Sequence, residues 1–430
     1  MKKIVLISTL LLACVSLYAQ IHVRTYSEQI RTLRVLPQRA FLVLTEGQVN
    51  GSDPDNKLYV SFDEMSHDVH FYTYTVRHMT ADRSQESGLM SGEYLQGFTT
   101  QDITDYAHSS NTSREYTHYW FDFPNENMIL TKSGNYELVI YEDGDSDKRV
   151  AEVQFSVVEP MVGIELNVRS NTDIEFNGRY QQVDVDVNLT VNGERLSVNG
   201  QSTEYKVIVT QNNRTDNAVT LTQPTFVEPK RLRYINTKAL IFEGGNEYHH
   251  FDAFSAYYAG TGIDRVYYQN GDYHALLFAD EVSQGQYIHQ YDSDGRFVVN
   301  AERTSDIDTE AEYMWVYWTV AADKPWFDGA VYVNGEIFGN TFAMRNRMQY
   351  DNDAKCYWLA ALVKQGGYDY QYVFVPKEYR IQSTKYRATT ERVDGSYWQT
   401  ENEYAVYVYW RPFGERYDRL VGLKIQKSTP

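Results

Sequence analysis

The chain has 430 residues, with 58 acidic against 40 basic side chains and a formal charge of −18. A field of that sign repels phosphate backbones and anionic lipid, which argues against nucleic-acid and membrane-surface roles. Aromatic residues make up 15 %, and 37 tyrosines dominate them, a bias that suits half-buried strands and contact surfaces.

Residues 1–19 read as a secretion signal. Lys2 and Lys3 form the basic end, an apolar stretch runs to Leu17, and Leu17-Tyr18-Ala19 is a cleavage site before Gln20. Leu11-Leu12-Ala13-Cys14 weakly resembles a lipoprotein box, but the apolar run continues past Cys14 into the better ordinary site. No later stretch approaches the roughly 18 apolar residues a membrane span needs, so direct membrane insertion is not expected. Loss of the leader leaves Cys356 as the single cysteine, and its strand-like surroundings predict a buried, inert thiol. The mature chain must then be held together by ordinary cores without an internal disulfide.

Almost no helical period is present; 90–97 could form a turn or two. Short alternating runs recur between turn residues, the pattern of an all-β protein made of tandem sandwiches. A first unit over 20–160 carries expected strands at 30–36, 40–44, 57–63, 69–78, 117–123, 135–142 and 149–158. A middle unit over 161–301 has them at 164–170, 182–190, 205–210, 234–242, 264–268, 273–278 and 296–299, with Asn192-Gly193 as a hairpin turn. Val183, Val185, Val187 and Leu189 face a core there, while Asp184, Asp186 and Asn188 face water. A C-terminal unit over 302–430, ordered like an early-set immunoglobulin-like sandwich, has strands at 313–320, 330–334, 356–363, 368–375 and 404–410. Its clearest strand alternates Tyr368, Tyr370, Tyr372 and Phe374 on one face. That aromatic payload demands a second sheet to pack against. No proline- or serine-rich linker separates the units, so they should abut.

Catalytic motifs are absent: no Gly-x-Ser-x-Gly, no His-Glu-x-x-His and no phosphate-binding glycine loop. Asp143, Asp145 and Asp147, and again Asp292-Ser293-Asp294-Gly295, could sit on Ca²⁺ loops, but neither has EF-hand spacing and both read first as acidic turns. His249-His250 with Asp252 could be ligands, yet adjacent strand residues face opposite ways. Glycan binding is the sharper alternative. The order of strands around 330–374 resembles early-set carbohydrate-binding modules, which stack sugar on a tryptophan in a tight turn. Here the matching stretch, Gly335-Glu336-Ile337-Phe338-Gly339-Asn340-Thr341, has no Trp.

Several ordered motifs agree with one family. They are Glu93-Tyr94-Leu95-Gln96-Gly97-Phe98, Ser110-Asn111-Thr112, Tyr116-Thr117-His118-Tyr119, Phe123-Pro124-Asn125-Glu126 and Ser133-Gly134-Asn135-Tyr136. Gly245-Asn246-Glu247-Tyr248 with Phe251-Asp252 follows, then Lys364-Gln365-Gly366-Gly367-Tyr368, Thr400-Glu401-Asn402-Glu403-Tyr404 and Gly414-Glu415-Arg416-Tyr417-Asp418. Together they resemble the type IX secretion system plug protein family across nearly the whole mature chain. The chain departs from the family at Met79-Thr80-Ala81-Asp82-Arg83, where a Cys-Asp-x-x-Trp-like run is usual. The resemblance implies a periplasmic protein without enzymatic activity or cofactor. Its implied partner is the large outer-membrane β-barrel translocon of type IX secretion, whose periplasmic mouth it would close. Polar-aromatic motifs bounded by turns nominate Tyr248, His249, His250, Phe251, Arg416 and Tyr417 for the partner interface; the alternative is that they pack one unit against another.

Overall fold

A computed structural model describes residues 22–428, apart from 39–40, 192–193, 196–201, 284, 382 and 384–385. The expected leader with Cys14, and the Asn192-Gly193 turn, lie outside the described residues. The chain is nearly all β, with mostly antiparallel sheets. The expected helical turns at 90–97 reduce to one four-residue helix, Ser91–Tyr94, followed by the short strand Leu95–Gly97.

The first core lies between two sheets. One is ordered His22–Thr25, Arg149–Val158, Gly134–Glu142, Tyr72–Met79 and Thr100–Ile103. The other runs Ile30–Leu36, Leu58–Glu64, Thr117–Phe123 and Asp105–His108. Alternation drives the packing. Leu138, Ile140, Val153, Phe155, Tyr72, Tyr74 and Val76 from one sheet meet Leu58, Val60, Phe62, Tyr119 and Phe121 from the other. Tyr74 stacks on Phe121 at 4.2 Å between centroids.

The second core combines Leu166, Val183, Val185, Val187, Leu232 and Tyr234 with Tyr205, Val207, Val209, Tyr404, Val406, Val408 and Val421. This corrects the expected partition. Tyr205–Gln211 pairs residue for residue with Glu403–Trp410, and Arg419–Lys427 completes that sheet. The last two strands therefore belong to the second core rather than to a unit over 302–430, and the third core is inserted before them. The expected strand at 234–242 is also two pieces, Arg231–Tyr234 and Ile241–Glu243, separated by a short 3₁₀ turn at Lys238–Leu240.

The third core packs Gly366–Pro376, with His249–Asp252, Phe297–Val299 and Gly329–Asn334, against a second sheet. That sheet is ordered Ile263–Gln269, Asp272–Leu277, Tyr313–Ala321, Cys356–Lys364 and Gln349–Asp351. Tyr368, Tyr370, Tyr372 and Phe374 share the core face, as their alternation requires, and meet Trp318, Val316 and Leu359. The opposite face of the same strand is buried too: Val373 and Val375 pack under Ala388, Tyr332 and Phe342. Cys356 is only half-buried, and desolvation raises its thiol pKa, so the inert reading rests on ionisation rather than on full enclosure.

Candidate interaction surface and the seams behind it

Polar groups in a β core must be paired, so the positions of the paired ones locate the joints of the molecule. Between the first and third cores, Asp63 and Lys364 meet at 2.7 Å with each side chain 1 % exposed. Asp63 also takes a 2.6 Å contact from His118 Nδ1 and accepts a 2.7 Å hydrogen bond from the Tyr313 hydroxyl. The Lys364 ammonium sits 4.3 Å from the Tyr116 ring centre and donates to the Asp308 carbonyl. Burial alone would raise the Asp63 carboxyl, but Lys364 and His118 hold it below its ordinary value.

Within the third core, His249 bridges Asp280 at 3.2 Å and Asp394 at 3.1 Å. Tyr370 and Tyr372 donate their hydroxyls to Asp280. Burial works against the imidazolium, but the Asp394 and Asp280 carboxylates outweigh it and raise His249 to about 10. Between the second and third cores, Arg296 reaches both Glu403 oxygens at 3.1 Å. Between the first and second cores, Asp418 takes Lys206, Arg411 and the Ala81 amide. Asn135 accepts from the Tyr409 hydroxyl at 2.9 Å. Arg83, in the stretch that departs from the family pattern, donates to the Phe155 carbonyl at 3.0 Å and to Ser156 Oγ at 2.7 Å.

The nominated residues fall largely on these seams. Tyr248 is 3 % exposed and Phe251 is fully buried in the third core, so neither can meet a partner; their aromatic rings were needed inside. His249 is half-buried in its carboxylate pair. His250 is exposed but committed to Asp369 at 2.6 Å and Asp252 at 2.9 Å. Tyr417 is buried edge-on to His78, whereas Arg416 is exposed and pairs with Glu93. The structure thus gathers Tyr248 to Phe251 in and beside the third core and leaves Arg416 and Tyr417 at the seam between the first and second cores.

The acidic loops are spoken for. Asp143 pairs with Lys148, Asp145 accepts from the Asp147 amide, and Asp292 accepts from the Tyr248 and Asp294 amides. Among the described residues, no three His, Cys, Asp or Glu side chains converge to hold a metal. At the turn matched to sugar-binding modules, Phe338 points into the third core at 5 % exposure and offers no stacking platform.

Open aromatic surface gathers instead at the hairpin of Ile263–Gln269 and Asp272–Leu277. Tyr267 stacks on His274 at 4.9 Å, and His274 hydrogen-bonds the Tyr317 hydroxyl at 2.9 Å. On the other side, Tyr268 and Tyr257 flank Tyr273 at 4.8 and 5.9 Å. These three tyrosines border a cleft of about 700 Å³, closed by Glu302, Arg303 and Asn111. Arg114 clamps Asp272 with two hydrogen bonds of 2.6 and 2.7 Å, tying the hairpin base to the first core's loops. The sequence pattern marks strands at 264–268 and 273–278 but not their open surface. The signal was the adjacent pair Tyr267-Tyr268: neighbours on a strand face opposite ways, so on an edge strand one aromatic must lie open.

Residues 31–159 match the family model described as type 9 secretion system plug protein 1st domain. The crystal structure of a hypothetical protein from Parabacteroides merdae ATCC 43184 is 36 % identical, covering 95 % of this chain and 100 % of that one, with a TM-score of 0.87. No curated protein matches the chain. Among the described residues no helix is long and apolar enough to cross a membrane.

Proposed function

We infer, from the premise that this chain belongs to the type 9 secretion system plug protein family, that it is a non-enzymatic periplasmic plug closing the inner mouth of the outer-membrane translocon barrel. The observation that carries the reading is the family match over residues 31–159, which takes in most of the first sandwich. The seams support it. A stopper must keep its shape against a wide pore, and here buried ion pairs and a sheet shared between cores replace linkers. Its contact with the barrel should bury roughly 1,200–2,000 Å² and stay polar at the rim, so that it can release.

The test is affinity capture from detergent-solubilised envelopes. Tagged full-length protein should bring down the large barrel, and deleting the gene should make cells more permeable to bulky antibiotics. Capture without the barrel, together with unchanged permeability, would falsify the plug reading.

A further inference from the structure

We propose that the open edge of the strand Ile263–Gln269 takes up an extended segment of the barrel partner as an added β-strand; the identity of the partner rests on the plug reading. Among the described residues this strand pairs with Asp272–Leu277 alone and ends its sheet. Asn270 and Gly271 turn the chain with φ of +54° and +92°, a two-residue loop that leaves Gln269 opposite Asp272. Residues flanking such a loop bond inward and the ladder alternates, so Val266 and Tyr268 turn their amide and carbonyl groups to the open side.

Exposed edges are normally blunted by lysine, proline, a bulge or a covering element. This one has neither Lys nor Pro. Its register shift and the Asp264–Arg265 ion pair are confined to the end far from the turn. The other edge strands of seven or more described residues have neighbouring elements: Ile30–Leu36 lies against His22–Thr25, and Gly163–Arg169 and Arg419–Lys427 lie against each other. Aromatic walls stand on both faces of the open edge. Tyr267 belongs to one, while Tyr268 and Tyr257, 59 % and 75 % exposed, belong to the other. An added strand would set its alternate side chains against those two walls. The unpaired backbone ladder selects a polypeptide over a glycan, and the charge of −18 opposes pairing with a second copy of this chain.

The experiment is the same barrel capture, now with full-length variants. Tyr268→Pro deletes an outward amide, Tyr268→Ala keeps the amide and loses the ring, and Phe413→Ser alters a fully exposed turn elsewhere. Tyr268→Pro should lower capture by about tenfold or more, Tyr268→Ala by a smaller factor, and Phe413→Ser not at all. A photo-reactive amino acid at Gln269 gives a readout independent of folding in the proline variant, and it should cross-link to the barrel. Wild-type-level capture by Tyr268→Pro, or cross-linking at Gln269 only to another copy or to no protein, overturns the edge proposal while leaving the plug reading intact. Failure of the wild-type chain to capture any barrel defeats both.

Discussion

Two strands of this molecule that both carry several tyrosines end in opposite environments. In Glu403–Trp410, Tyr404, Val406 and Val408 enter the second core, while Ala405, Tyr407 and Tyr409 enter the first. In Ile263–Gln269, Ile263 and Val266 reach the third core, and Tyr267 and Tyr268 remain on the surface. The difference is place in the sheet. The first strand has a neighbour on each side and a core on each face; the second has one neighbour and one core. An aromatic strand at the centre welds two bodies together, and tyrosines on an edge strand are left free to bind.

The sharpest way to break that contrast is to place a charge in each strand. Val406→Asp buries an unpaired carboxylate inside the second core and should destabilise the chain by more than about 4 kcal/mol in urea unfolding. Tyr267→Asp meets solvent and should change stability by no more than about 1 kcal/mol. Similar losses at both sites would mean that the edge is not open.

The ion pair at the first seam tests the welding directly. Lys364→Met leaves Asp63 buried without its cation and should cost about 3–5 kcal/mol, whereas Asp63→Leu with Lys364→Met should recover most of that. Acid should act in the same direction. Asp63 is held below its ordinary value, so its contribution is present above about 4 and is lost as pH falls through its lowered pKa. A wild-type acid-unfolding profile that coincides with that of the double variant would contradict this.

Much of this architecture is legible in the chain. The alternation of Tyr368 to Phe374 predicts one core face, and the structure supplies it. Val183, Val185, Val187 and Leu189 likewise face the second core. Period alone does not name a strand's partner, so the expected strand at 404–410 falls in the C-terminal unit by order along the chain, whereas it pairs with Tyr205–Gln211 in the second core. Their composition held the clue: from Tyr404 to Trp410 no polar side chain interrupts the run apart from tyrosine hydroxyls, the mark of a strand buried on both faces. The motifs that identify the family were equally visible, but their role was not. Polar-aromatic turns such as Gly245 to Tyr248 look like surface, and only tertiary packing turns them inward, because each polar group finds its partner on a distant segment.

The third core gives an alkaline counterpart to Asp63. His249 is raised from 6.5 to about 10, so the folded chain holds its proton where the unfolded chain has released it. Its contribution is fully present below about 6.5, declines as pH rises and is gone above about 10. His249→Gln should flatten that part of the stability profile, measured by urea unfolding between these limits. A slope that survives the substitution would move the assignment to His250, raised to about 9 beside Asp369.

The smallest effect is expected where the comparison began, at the exposed ring. Tyr267→Ser removes a stack of 4.9 Å on His274 but leaves the His274 hydrogen bond to Tyr317 in place. An aromatic pair contributes about 0.5–1.5 kcal/mol beyond its area, and partial exposure puts this one at the low end. Thermal melting should therefore shift by only a few degrees at most. Barrel capture should fall by more than that small change in folding accounts for, because the ring is one wall of the open edge. A melting shift as large as that of Val406→Asp would show that Tyr267 is a core residue after all, and the contrast between centre and edge would lose its clearest example.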